Sequence, residues 1–332
     1  MSNIPFILRP AAKDYLWGGS RLNDDFNKNI DMNPLAETWE CSTHPDGLSF
    51  VGSGEFCGRS LKEVLEIHPE YLGSHPLQIT EGKPELPILI KFIDAKKDLS
   101  VQVHTDDDYA LKYENSLGKT EMWYVLDARD NAQLVYGFNQ DVNEGIVRKS
   151  IEEGTIERYL NHVPVHQNDL FFIKAGTVHA IGAGALVAEI QENSNLTYRL
   201  YDYKRVGKDG KERELHIDKA MKVANLKSSA FPKQPMRVLK YKKGCASELL
   251  TRCKNFQVER LLLNTEIHRD LTDFKTYSNS FNALLCTEGC GVMVGGDEGF
   301  VLNFFKGDCI FVPADSIELK LHGKAQMLKV SC

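Results

Sequence analysis

Residues 168–179 read NDLFFIKAGTVH, and residues 307–318 read GDCIFVPADSIE. Each stretch opens with a polar pair ending in Asp, runs through an apolar strand, turns tightly and starts a new strand. This echo predicts two related β-modules in one chain. The first keeps His179, whereas the second has Glu318 at the matching place. One module is therefore expected to carry chemistry and the other to pack against it. A length of 332 residues agrees, because it exceeds what one ordinary hydrophobic core supports.

Working outward, strand-like runs dominate at 86–93 (LPILIKFI), 99–104 (LSVQVH), 121–126 (EMWYVL), 133–138, 169–174, 185–191 and 198–203. Helical patterns are fewer. SLKEVLEIHPEYLG (60–73) has apolar residues at helical spacing and ends at a glycine. The acidic run at 106–108 opens DDDYALKYE, where negative charge favours a helix N-terminus. Residues 143–160 read as two short helices, and 214–225 as another before the Ser-, Pro- and Lys-containing linker KSSAFPKQPMR (227–237). The expected fold is mainly β: two jelly-roll barrels with a few short helices, divided at 1–226 and 227–332.

Bulk composition narrows the function. With 40 basic and 46 acidic residues the net charge is −6, against the basic stripe that a nucleic-acid surface needs. A small anion is still accessible, since a few well-placed Lys or Arg suffice for one phosphate. No apolar run approaches the roughly 18 residues of a membrane span, because LPILIKFI is broken by Lys91. The N-terminus lacks a basic end followed by an apolar run, so no secretory signal is expected. Eight irregularly spaced cysteines suggest reduced thiols and a cytoplasmic protein.

The strand LSVQVH places Gln102 and His104 on one face, because residues i and i+2 of a strand point the same way. Glu121 opens EMWYVL, and His179 follows the turn KAGT. Taken singly, each residue has a plainer structural reading: a hydrogen-bonded core histidine, or the exposed start of a strand. A jelly roll, however, can bring such strands to one mouth. Two imidazoles, one carboxylate and an amide oxygen would then suit one divalent ion such as zinc, with a position left for water or a substrate oxygen.

The turn before His179 resembles the second motif of the cupin superfamily, G(x)5PxG(x)2H. Asn168 and Lys174 depart from it, whereas Gly176 and His179 match; the C-terminal copy keeps Gly307 and Pro313 and lacks the other two. The strings YLWGG (15–19), AETWECS (36–42), LSVQVH (99–104), GKTEMWYVL (118–126), AGTVHAIGAG (175–184) and AEIQENSNLTYRLYDY (188–203) resemble type I mannose-6-phosphate isomerase in its short bacterial form. The resemblance covers the N-terminal two-thirds; the last hundred residues or so match only as a generic cupin.

That resemblance implies zinc bound by Gln102, His104, Glu121 and His179, the set the strand argument also selects. It implies an active-site lysine at Lys119 and a catalytic arginine at Arg199. Ser100, Lys91 and Glu189 would line the substrate pocket, with the phosphate sought near Ser100 and Lys91 or Lys119. Two positions depart: Asn195 stands where longer members have Asp, and Gly118 where some have His. Both absent groups are candidate proton carriers in the family, so the general base stays unassigned here. The implied activity interconverts mannose 6-phosphate and fructose 6-phosphate through an enediolate. Two rival readings use the same residues: a cupin iron oxygenase with two His and one carboxylate, or a non-catalytic sugar-phosphate-binding cupin. Oligomeric state is left open by the sequence.

Overall fold

The two echoed stretches fold alike in the computed structural model, which describes residues 3–207, 210–267, 270–295 and 299–332. Strands Leu170–Ile173 and Cys309–Val312 each follow a turn built on an aspartate. Asp169 accepts the His166 amide N–H at 2.8 Å, and Asp308 accepts that of Phe305 at 2.8 Å. The residue before each aspartate is left-handed, Asn168 with φ 71° and Gly307 with φ 99°. After each strand the turn is left-handed again, at Gly176 (φ 85°) and Asp315 (φ 51°). Asn and Asp tolerate this backbone better than other non-glycine residues. Each copy thus keeps both turns with one glycine and one substitute, which accounts for the broken motif.

Register extends the equivalence. Ile173 lies opposite Glu121, and Val312 lies opposite Asn282. The second module therefore carries Asn282 and Glu318 where the first carries Glu121 and His179. Its Glu318 is exposed and sits 3.8 Å from Lys275.

The first module is a face-to-face pair of antiparallel sheets. Six strands run in the order Leu170–Ile173, Glu121–Ala128, Ala185–Glu192, Ile88–Asp94, Glu37–Cys41 and Ala11–Lys13. Five face them in the order Tyr198–Tyr201, Val101–Val103, His179–Ile181, Gln133–Phe138 and Leu160–Pro164. Trp123, Val125, Phe171 and Val187 from the larger sheet share one buried cluster with Leu134, Val163 and Ile181 from the smaller. The sheets stay open at their edges, so the expected barrels are flattened sandwiches. Closure would have required the end strands to pair as well.

The second module is a ten-stranded sheet, and its membership crosses the chain. Strand Phe6–Arg9 pairs antiparallel with Cys309–Val312, and the rings of Phe6, Phe311 and Phe281 stack at 5.3 and 5.1 Å. A single core cluster holds Ile90, Met122 and Ile190 together with Phe281, Phe311 and Val330.

The helices are short. Ser60 and Glu63 form a capping box on Leu61–Ile67, and Pro69 then breaks the expected longer helix into a 3-10 turn. Asp106 caps Asp107–Tyr113 by accepting the Tyr109 N–H at 3.0 Å, so the acidic run serves a helix start. Among the described residues no helix is long and apolar enough to cross a membrane.

Candidate active site

Two rows of paired residues face each other between the sheets. In the larger sheet Phe171, Trp123, Glu189, Lys91 and Trp39 lie directly opposite one another across five strands. In the smaller, Arg199 lies opposite Gln102, and Gln102 opposite His179. Directly opposed residues share a face. Register alone therefore gathers Arg199, Gln102 and His179, and alternation adds Ser100 and His104. Trp123 meets His179 edge-on at 5.4 Å, joining the two rows.

Glu121 is aimed into this space by the turn before it. Gly118 accepts no side chain, because a β-carbon there would run into the backbone of Asp106 and Asp107. The Gly118 N–H donates to Asp107 Oδ1 at 3.0 Å and the Lys119 N–H to the Thr105 carbonyl at 2.9 Å. The turn carrying Lys119 and Glu121 is thus docked onto the residues that follow His104.

His104 Nε2 lies 3.5 Å from Glu121 Oε2, and His179 Nε2 lies 3.4 Å from Glu121 Oε1. The ligand-type atoms of all three residues fall within 4.8 Å of one another. Nδ1 of His104 contacts the Leu196 carbonyl at 3.1 Å, and Nδ1 of His179 contacts the Thr177 carbonyl at 2.7 Å. A carbonyl only accepts, so both protons sit on Nδ1 and both Nε2 lone pairs point inward. Each Nε2 and Glu121 Oε1 are buried without a hydrogen-bond partner. Buried polar atoms are ordinarily satisfied, and three such acceptors aimed at one point fit a cation.

Electrostatics support the same reading. Burial, with the Lys119 charge adding to it, keeps His104 well below the usual imidazole range; burial lowers His179 to about 4. Both rings are therefore neutral and able to ligate near pH 7. Glu121 is pushed up to about 7 by burial, even though Lys119 Nζ lies 3.2 Å away.

A buried ionic chain runs from this centre into the larger sheet. Lys119 lies 3.9 Å from Glu189, whose Oε1 accepts from Lys91 Nζ at 3.0 Å and whose Oε2 accepts from Trp123 Nε1 at 2.9 Å. Lys91 continues to Glu37 at 3.9 Å, and Glu37 accepts from Trp39 Nε1 at 2.8 Å. Burial alone would raise Glu189, but Lys91 and Lys119 overcome it and hold the carboxyl at about 2. Burial would likewise lower Lys91, but Glu189 and Glu37 hold its ammonium above the ordinary lysine value. Arg199 Nε approaches Ser100 Oγ at 3.4 Å on the opposite side.

The structure thus gathers His104, Glu121, His179, Lys119, Lys91 and Glu189 in one buried network, while strand register sets Gln102 and Arg199 beside His179 on the smaller sheet and Ser100 within reach of Arg199. Sequence reasoning missed Glu37 and Trp39, although both lie in the string AETWECS. The signal was there: ETWEC is buried at all five positions yet holds two glutamates. Asn195, the other departure, donates to Asp46 Oδ2 at 2.8 Å at the rim.

Residues 6–133 match the family model described as "Phosphomannose isomerase type I, catalytic domain". The chain is 36% identical over 329 residues to the mannose-6-phosphate isomerase ManA of Bacillus subtilis, covering 99% of each. It is 43% identical over 223 residues to a probable mannose-6-phosphate isomerase, GmuF, of the same organism, covering 67% of this chain and 69% of that one. The crystal structure of the Bacillus subtilis mannose 6-phosphate isomerase superposes with a TM-score of 0.88 at 32% identity, covering 100% of both chains. On sequence and fold together, the chain belongs to the type I mannose-6-phosphate isomerase family of enzymes.

Proposed function

We propose that the protein interconverts mannose 6-phosphate and fructose 6-phosphate with one divalent ion held by His104, Glu121 and His179 and by Gln102 as fourth donor. The observation that carries this reading is the set of orphaned Nε2 and Oε1 atoms converging beside Lys119. A nitrogen-rich, neutral-imidazole set with a carboxylate and an amide suits zinc. His104, Glu121, His179 and Gln102 would hold the ion, which would supply Lewis-acid polarisation of the substrate's oxygens.

The reaction moves a proton between C1 and C2 through an enediolate, so the chain must carry a proton and stabilise an oxyanion. Glu189 is a poor proton carrier, because the Lys91 and Lys119 charges hold its carboxyl below the usual carboxylate range and make it a weak base. Its work is to fix Lys91, leaving Lys119 to move the proton. Arg199 stays charged and offers parallel N–H donors to developing negative charge. Lys91, Lys119 and Arg199 stand against Glu37, Glu121 and Glu189. A divalent cation and a phosphate dianion therefore enter this lining as a neutral sum.

The test is turnover of mannose 6-phosphate followed by NMR in deuterated water, alongside metal analysis. Fructose 6-phosphate should form, with deuterium entering at the exchanged carbon. A metal-loaded protein that binds the sugar without interconversion, or consumes oxygen instead, overturns the reading in favour of a binding cupin or an iron oxygenase.

A further inference from the structure

The row of opposed residues that backs the candidate active site has a counterpart in the second module. There Ile310, Leu284, Lys329, Glu259 and Leu249 lie directly opposite one another across five strands. The register that sets Asn282 in the place of Glu121 also sets these five in the places of Phe171, Trp123, Glu189, Lys91 and Trp39. The ion pair in the middle of the row is retained with its signs exchanged. Lys91 meets Glu189 at 3.0 Å in the first module, and Glu259 meets Lys329 at 3.0 Å in the second. Directly opposed residues share a face, so the exchanged pair looks inward with Leu284 and Ile310, which belong to the core of this module.

Beside this pair the second module holds a cavity of about 1220 Å³, ample for a small molecule by the roughly 300–1,000 Å³ of ordinary ligand sites. Glu259 and Lys329 line it, and so does Glu318, which stands in the place of His179. The side chains of the pair are each 21% exposed, against 5% for Lys91 and Glu189, so both charges reach the opening. Leu261, Leu319 and Leu321 give the cavity an apolar floor, and Ser247 adds a hydroxyl. Lys242, Lys275 and Lys320 join Lys329 in the lining, against Glu259, Asp273 and Glu318. Among the described residues the lining thus carries one more positive charge than negative. Lys242 donates to the Asp273 carbonyl at 2.8 Å, and Lys275 lies 3.8 Å from the exposed Glu318. A neutral carbonyl and a loose exposed pair are contacts that a stronger anion can replace.

The geometry points to a second, non-catalytic site in this cavity that binds a sugar phosphate. A carboxylate accepts from hydroxyls and an ammonium donates to them, so the exchanged pair suits neighbouring hydroxyls of a sugar. The leucine floor suits the sugar's C–H face, and the surrounding lysines suit the phosphate. Asn282 and Glu318 stand in the places of Glu121 and His179, so the donor set of the first module is not repeated and the site binds without isomerising. The assignment is made from this lining and stands apart from the isomerase reading above.

The test counts fructose 6-phosphate bound to the full-length, metal-loaded protein by equilibrium dialysis at millimolar ligand, and follows mannose 6-phosphate turnover on the same preparations. Wild type should bind one molecule per chain more than Leu261→Trp, in which the cavity floor is filled. Lys329→Gln should weaken that additional binding roughly 10–100-fold, the loss expected for a charged hydrogen bond. The kcat and KM for mannose 6-phosphate should stay at wild-type values in both variants. Equal binding by wild type and both variants overturns the inference. Inorganic phosphate that occupies the cavity as tightly as fructose 6-phosphate overturns the sugar assignment. If Leu261→Trp does not fold, Lys329→Gln and Lys275→Gln decide by the same count. The count needs no turnover, so a protein that fails to isomerise but loses a bound molecule in Leu261→Trp would sink the isomerase reading and leave the second site standing.

Discussion

At the scale of single residues, the site works by keeping opposite requirements apart. The two imidazoles must be neutral and Lys91 charged, all within one buried space. Burial, aided by the lysine charges, achieves the first, and the shared Glu189 carboxylate helps achieve the second. Lys119 is the most direct test of role against charge. Lys119→Arg keeps the positive charge beside Glu121 but cannot give up a proton at accessible pH. Turnover should fall by about 10²–10⁴ while metal content stays at the wild-type level. Near-normal turnover in that variant would show that only the charge is required. The histidines were legible because each stands in a readable local frame: strand alternation for His104, the AGT turn for His179. Glu37 was not, because its partner Lys91 lies 54 positions further along and meets it only through pairing of the two strands. Register between distant strands is set by the whole sheet and leaves no local mark.

At the scale of elements, close docking of turns does the aiming. The Gly118 turn lies against Asp106 and Asp107 with no space for a β-carbon. This packing leaves no room for a side chain at position 118. Gly118→Ala should destabilise the protein by about 1–3 kcal/mol and lower activity through misplacement of Lys119 and Glu121, readable as a drop in melting temperature with weaker metal retention. An Ala variant that melts and turns over like wild type would show the turn to be looser than described. The next strand end offers a pH test. Burial pushes Glu192 up to about 7, although its carboxylate accepts from the Thr120 N–H at 3.1 Å and from Asn255. A carboxyl raised on folding binds more protons folded than unfolded between its two pKa values. Stability must then fall as pH rises from about 4.5 to about 7. Glu192→Gln removes that slope. By thermal melts it should gain on the order of 2 kcal/mol over wild type at pH 8 relative to pH 5. Parallel melting curves at both pH values would contradict this.

At the scale of the whole molecule, the two modules share one core. Phe6–Arg9 belongs to the C-terminal sheet, and Phe311 and Phe281 complete the cluster that backs Ile90 and Met122 behind the site. Lys28 joins them again, pairing with the buried Glu40 at 2.7 Å and donating to the Gly307 carbonyl. A fragment of residues 1–226 would expose this face and lose its cooperative melting transition; a fragment with a native-like transition would mean that the first module stands alone. The local likeness of 168–179 and 307–318 was readable in the sequence, because aspartate turns and left-handed positions constrain residue type locally. The intimate joining of the two modules was not, since an apolar strand such as FILR carries no indication of which sheet it enters.

The central claim is that His104, Glu121 and His179 hold the divalent ion on which isomerisation depends. Metal content and mannose 6-phosphate turnover, measured together as a chelator is titrated in and zinc then restored, test it most directly. We predict about one ion per chain, activity falling and returning in proportion to it, and loss of both in His179→Ala. Full turnover from protein stripped of metal, or a His179→Ala variant that keeps its ion and its rate, would contradict the account.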